Sequence, residues 1–439
     1  MSASPIPAGL AGGEFAVCAH LDARAHHSES LDAVNRSLHA GVDRGGDDQH
    51  AVLPPHIPTV LARSQVLGVG TATPEPAFTQ QELIERYLIK DRRIRSVLLN
   101  GGIERRYLCL PDANPAGGPA EESQSKLLKK HCDMSLLVGA KALRNCLQKS
   151  ELDLLDIDYL CVVTTTGFLV PGLSALLIKE LGLRKSTSRV DIVGMGCNAG
   201  LNGMNVVSSW AVANPGKIAV MLCVEICSAA YVYDERMEIA VVNALFGDGA
   251  AAVALCAGPN VKALPAAVSA PRLEAFASHV ICDAVDAMRF DWDDQFGKFS
   301  FRLDPAVPYV VGANAEEAID RLLRPRRLRR SQIAHWLVHS GGKKVIDSVK
   351  INLGLTEHDL RHTRGVLRDY GNVSSGSFLF SYERLLGEAV IQHGDYGVMM
   401  TMGPGSTIET ALLHWPEPDR ADRIEGRDRS IRPYAADSS

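Results

Sequence analysis

The segment Gly194-Met195-Gly196-Cys197-Asn198-Ala199-Gly200 places one thiol between an apolar run that ends in small residues and a long uncharged segment. That pattern predicts a strand, a tight turn and a helix. Cys197 would stand at the helix N-terminus, where the dipole favours a thiolate and lowers the thiol pKa. The flanking glycines let a substrate carbonyl approach backbone N–H groups, as an oxyanion hole requires. A buried structural cysteine would occupy the same turn, because free Cys is among the most buried residue types. His339 follows Trp336-Leu337-Val338 and precedes Ser340-Gly341-Gly342, a second strand-to-helix turn. Asn372 stands in Tyr370-Gly371-Asn372-Val373-Ser374-Ser375-Gly376, between a charged segment and a helical pattern. Both polar side chains are offered from loops at element ends, where α/β sites form. Each has an ordinary alternative, a core or capping histidine and a turn asparagine. Gly403-Pro404-Gly405-Ser406 either walls a pocket or turns a hairpin.

The elements that must hold these residues alternate. From Val66 the pattern changes: Gly68 to Pro74 reads as a strand end, Phe78 to Ile89 as a helix, Cys132 to Ser150 as an amphipathic helix and Tyr159 to Thr166 as a strand. Strands then follow at 189–195 and 217–226, around a buried helix at 198–214, and Phe246 to Cys256 reads as a turn into a strand. After a Pro-containing stretch at 261–271 a comparable series begins again. An α/β protein of two similar layered halves is predicted, 63–265 and 266–415. Residues 1–62 and 416–439 show no sustained period and are expected to be a disordered extension and a flexible tail.

The 439 residues are 46% apolar and 22% charged, an ordinary globular composition. Lys plus Arg number 46 against 51 Asp plus Glu, a net charge of −5, so no basic field points to nucleic acid. The uncharged stretches 159–178 and 192–216 carry too many Asn, Thr, Ser, Gly and Pro residues for lipid-facing helices, so no membrane span is expected. The first residues lack a basic region before an apolar one, and the Cys residues lack paired spacing, so a reducing cytoplasm is expected. Three sequence-level alternatives fail on context. Cys197 lacks the surroundings of a papain-like nucleophile. The Gly68 and Gly342 turns lack the further glycines of nucleotide loops. Cys223 and Cys227 have no second pair for zinc, and no metal is expected. The six arginines between Arg321 and Arg330 read as a solvated helix end and loop.

Taken together, GMGCNAG, WLVHSGGKKVIDS, YGNVSSGSFLF, LFGDGAAA and MGPGSTIE resemble the thiolase-fold condensing enzymes, and more narrowly the type III polyketide synthases of the chalcone synthase group. The likeness runs from about Val66 to Trp415. It implies a homodimer with a thiolase-like α/β fold. Cys197 would be the nucleophile, with His339 and Asn372 binding the thioester carbonyl of malonyl-CoA as carbon dioxide leaves. No cofactor beyond CoA thioesters is implied. Phe246, Thr165, Val170, Ala230 and the loop Gly403, Pro404, Gly405, Ser406 would line the substrate pocket, with Val170 on the dimer-facing wall. Arg92, Arg93 and Arg95 would meet CoA phosphates. Val170, Ala230 and Cys227 stand where plant enzymes carry Met, Thr and Thr. That agrees with a bacterial branch which uses malonyl-CoA as both starter and extender, four units in all. In that branch the chain closes by aldol chemistry and loss of water to an aromatic CoA thioester, which feeds glycopeptide-antibiotic building blocks. Accessory aromatising or dehydrating enzymes are compatible with it. The alternatives are a ketoacyl synthase with another starter or an acyl carrier protein, and an inactive scaffold.

Overall fold

The computed structural model describes residues 63–115, 117–260 and 270–417. The extension predicted for 1–62, most of the stretch 261–271 and all but the start of the predicted tail lie outside the described residues.

Along the chain the strands are β1 (Ser64–Ala72), β2 (Ala77–Thr79), β3 (Arg105–Tyr107), β4 (Ile157–Thr164), β5 (Ser188–Val193), β6 (Ile218–Glu225), β7 (Gly249–Ala257), β8 (Arg272–Val280), β9 (Met288–Asp293), β10 (Lys298–Leu303), β11 (Ile333–Val338), β12 (Tyr396–Gly403) and β13 (Thr407–His414). Nine of them hydrogen-bond in the order β11-β12-β13-β8-β1-β7-β6-β4-β5. β4 runs parallel to both β5 and β6, and β11 parallel to β12, while the other pairs are antiparallel. β1 meets β8 through one register pair, Gln65 and Arg272, which joins β1, β7, β6, β4 and β5 to β8, β13, β12 and β11 in one sheet. β6 and β7 are buried at every residue, which explains why they read as unbroken apolar runs rather than as alternating ones.

Two buried helices pack against the sheet. Ala199–Ala213 buries Leu201, Met204, Val207 and Ala211, and Ser377–Gly387 buries Phe378, Leu379, Phe380 and Tyr382. Having no charged face in its first turns, each is dictated by burial, not by amphipathic patterning. The helix predicted from Cys132 starts at Gln124 instead, where the Ser123 hydroxyl accepts the Lys126 N–H and caps it. Its first turns carry lysines, so no apolar period marks them. The arginine run lies on a helix end and short turn, with Arg321 paired to Glu317 and Arg324 to Asp320. No helix among the described residues is long and apolar enough to cross a membrane.

Candidate active site

Cys197 lies in the turn between β5 and the helix Ala199–Ala213. A Cβ on Gly200 would fall 2.1 Å from the Ser375 carbonyl oxygen. Glycine there lets the 372–376 loop pack directly on the helix start, which brings Asn372 to Cys197. The Asn372 N–H donates to Leu245 O at 2.9 Å, and its carbonyl accepts the Gly247 N–H at 3.0 Å. Its side-chain oxygen accepts the Ser374 N–H at 2.9 Å, so the amide hydrogens face the Cys197 sulfur, which they help to hold. Ser374 has a left-handed backbone, φ 49°. Its Oγ lies 3.6 Å from Cys197 Sγ and donates to Glu225 Oε1 at 3.2 Å, so the S–H donates to Ser374 Oγ.

His339 follows β11, anchored by its N–H to Met400 O at 2.8 Å. Its Nδ1 is hydrogen-bonded to the Ser377 hydroxyl, in the same segment that carries Ser374. With Ser377 donating, Nε2 carries the ring proton and can donate to a substrate oxygen. The Gly403-Pro404-Gly405-Ser406 loop both turns the β12–β13 hairpin and packs on the site: a Cβ on Gly403 would lie 2.9 Å from Cys197 N and 2.8 Å from Asn198 N. Thr165 braces the turn from the other side, its Oγ1 accepting the Gly196 N–H at 2.9 Å and its own N–H donating to Glu225 Oε2 at 2.9 Å.

Burial dominates the electrostatics. It pushes the Cys197 thiol up to about 12, with the Ser374 hydrogen bond opposing and the Glu225 charge adding to the rise. This reverses the lowered pKa expected from the helix terminus. A dipole of about 0.3–1 kcal/mol is worth less than one pKa unit, about 1.4 kcal/mol, and loses to desolvation. Burial also holds His339 down at about 3, so its imidazole is neutral at pH 7. The resting pair is therefore thiol and imidazole, and the alkylation rate of Cys197 by iodoacetamide is expected to climb steadily from pH 7 to 10. A plateau below pH 8 would contradict that assignment.

Phe246 is buried and stacks on Tyr231, ring centroids 4.0 Å apart, with Phe301 edge-on at 6.1 Å. Cys197, Ala230 and Cys227 belong to the same apolar cluster. A cavity of about 370 Å³ runs from exposed Glu121 and Glu235 to Cys227, Tyr231 and Phe246. Of the residues predicted to line the pocket, Phe246 alone is on its wall. Val170 is 84% exposed, on the outer surface. Arg92 and Arg93 are exposed on the helix Arg92–Asn100, and Arg95 bonds Ile89 O at 3.3 Å; none faces the cavity. Sequence reading missed Ser374, Ser377, Glu225, Tyr231 and Phe301. Glu225 had a signal, as the one charge in Ile218–Ile226.

The model of the chalcone and stilbene synthase N-terminal domain matches residues 59–259, and that of the C-terminal domain matches residues 294–415. The chain belongs to the chalcone and stilbene synthase family. Within it, the chain is 60% identical over 353 residues to a 3,5-dihydroxyphenylacetyl-CoA synthase of Streptomyces toyocaensis, covering 80% of this chain and 90% of that one. Among solved structures, PKS-I of the brown alga Ectocarpus siliculosus superposes with TM-score 0.73 at 27% identity, over 81% of this chain and 98% of that one. The type III polyketide synthase 1,3,6,8-tetrahydroxynaphthalene synthase of Streptomyces coelicolor gives 0.72 at 27% identity, over 80% and 99%. The chain is a type III polyketide synthase with the thiolase-like α/β fold predicted from its sequence.

Proposed function

We propose that this enzyme builds 3,5-dihydroxyphenylacetyl-CoA from malonyl-CoA alone, with Cys197, His339 and Asn372 as its catalytic residues. The observation that carries the product is the 60% identity to a relative of that name. The convergence of Asn372 and Ser374 on the buried sulfur supports the role of Cys197.

The chemistry needs only what the site offers. Cys197 attacks the thioester of a starter unit: the new C–S bond forms as the bond to CoA breaks, and the thiol proton goes to the departing CoA thiolate. A malonyl-CoA extender then loses carbon dioxide. The electron pair of the broken C–C bond enters an enolate whose oxygen accepts hydrogen bonds from His339 Nε2 and Asn372 Nδ2. The enolate carbon bonds to the Cys197-bound acyl carbon, the C–S bond breaks, and the sulfur is free to take the lengthened chain again. Eight acyl carbons require four such two-carbon units. Ring closure by aldol addition and loss of water is redox-neutral, so the reading calls for no redox cofactor and no metal. A brief incubation with ¹³C-labelled malonyl-CoA, followed by peptide mass spectrometry, is expected to find labelled acyl groups on Cys197. Label on another cysteine, or none, would overturn the assignment.

We also read the enzyme as a cytoplasmic homodimer. β5 is an edge strand of the sheet, and Phe168, Val170, Val193 and Met195 are exposed around it. An unpaired edge with an apolar fringe suits pairing with a second copy. Light scattering at micromolar concentration is expected to give twice the chain mass, and a monomer would refute the dimer.

A further inference from the structure

We infer that His131, on the helix Gln124–Lys149, is a positioning residue that holds the Thr164–Gly167 turn against the nucleophile. The inference rests on the reaction proposed above.

His131 is fully buried. Its Nδ1 lies 3.2 Å from Thr166 Oγ1 and 3.5 Å from Ser135 Oγ. Among the described residues its Nε2 is buried without a hydrogen-bond partner. Gly167 presses on the ring face, where a Cβ would fall 2.2 Å from His131 Cδ2. The far side of this turn carries the site. Thr164 O accepts the Gly194 N–H at 3.1 Å, and Thr165 Oγ1 accepts the Gly196 N–H at 2.9 Å. Thr165 N–H holds Glu225, which in turn holds Ser374 against the sulfur. Thr166 Oγ1 accepts the Ile226 N–H at 2.9 Å, and its own hydrogen is shared between His131 Nδ1 and the buried Glu225 carboxylate. Burial keeps the imidazole neutral, its pKa near 4, so that Nδ1 can accept. The ring proton then sits on the unpartnered Nε2. A buried donor left unpaired weakens the fold. An apolar side chain of similar size would be at least as stable here, so the imidazole is explained by the threonine that it orients.

The test compares His131→Leu, which removes the acceptor, with His131→Asn, whose amide oxygen can replace Nδ1. In the full chain, His131→Leu is expected to melt at or above the parent temperature. Its kcat should nevertheless fall by about 100-fold, the cost of small misplacement at a reacting centre. KM for malonyl-CoA should stay within about twofold, and His131→Asn should restore most of kcat. Parent-like kcat in His131→Leu would overturn the role, as would equal losses of kcat and melting temperature in both variants. His131→Phe, also flat under Gly167, gives the same comparison should the leucine variant not fold. If the parent itself makes no polyketide, the reaction proposed above fails. Positioning is then read from iodoacetamide alkylation of the Cys197 peptide, which needs no substrate. A rate altered at least threefold in His131→Leu and parent-like in His131→Asn supports it, and equal rates in all three refute it.

Discussion

Cys197→Ala is expected to remove polyketide formation by about a thousandfold or more, because in the proposed reaction this thiol carries the acyl chain between condensations. The same variant should still convert malonyl-CoA to acetyl-CoA. In the proposed reaction decarboxylation needs only the donors on His339 and Asn372, and those are held by Ser377, Leu245, Gly247 and Ser374 rather than by the sulfur. Chromatography of the CoA esters separates the two activities. Undiminished polyketide in the alanine variant would show that another residue is acylated.

Asn372→Asp should give the complementary pattern. The aspartate keeps an oxygen for the Ser374 N–H, so the left-handed turn survives. It loses the Nδ2 donor and sets a negative charge beside a developing enolate. Decarboxylation is expected to fall by about 100- to 1,000-fold, the scale for one lost oxyanion donor, and acyl transfer to Cys197 less. Rates of acetyl-CoA release and of Cys197 acylation, measured on the same preparation, decide between the two. Equal losses in both would mean that Asn372 supports the fold of the site rather than the enolate.

The strands and the site were legible to different depths. Strand ends at Val193, Val338 and Gly403 could be read because apolar runs stop there in glycine-rich turns. That placed Cys197, His339 and the Gly403 loop at element ends, and it made the α/β alternation visible. The packing of the 372–376 loop on Cys197 was not visible from the residues alone. It depends on the close approach of Gly200 to Ser375, a contact between distant segments that no local period encodes. The direction of the Cys197 pKa was misjudged for the same reason: a helix terminus is written in the sequence, and burial is not. His131 follows Lys129 and Lys130 and stands just before Cys132, where the predicted helix begins, so no apolar period includes it. Only the docking of its helix on the Thr164–Gly167 turn shows its ring buried. The hairpin β9–β10 alternates apolar and charged residues, a signal present in the sequence but weak beside its acidic composition.

The decisive measurement is to incubate the purified full chain with malonyl-CoA and no other acyl donor, and to follow the products by mass spectrometry. The expected product is a CoA thioester carrying a dihydroxyphenylacetyl group, assembled wholly from malonyl carbon. Acetyl-CoA as the end product, or malonyl-CoA left unconsumed, would contradict the account.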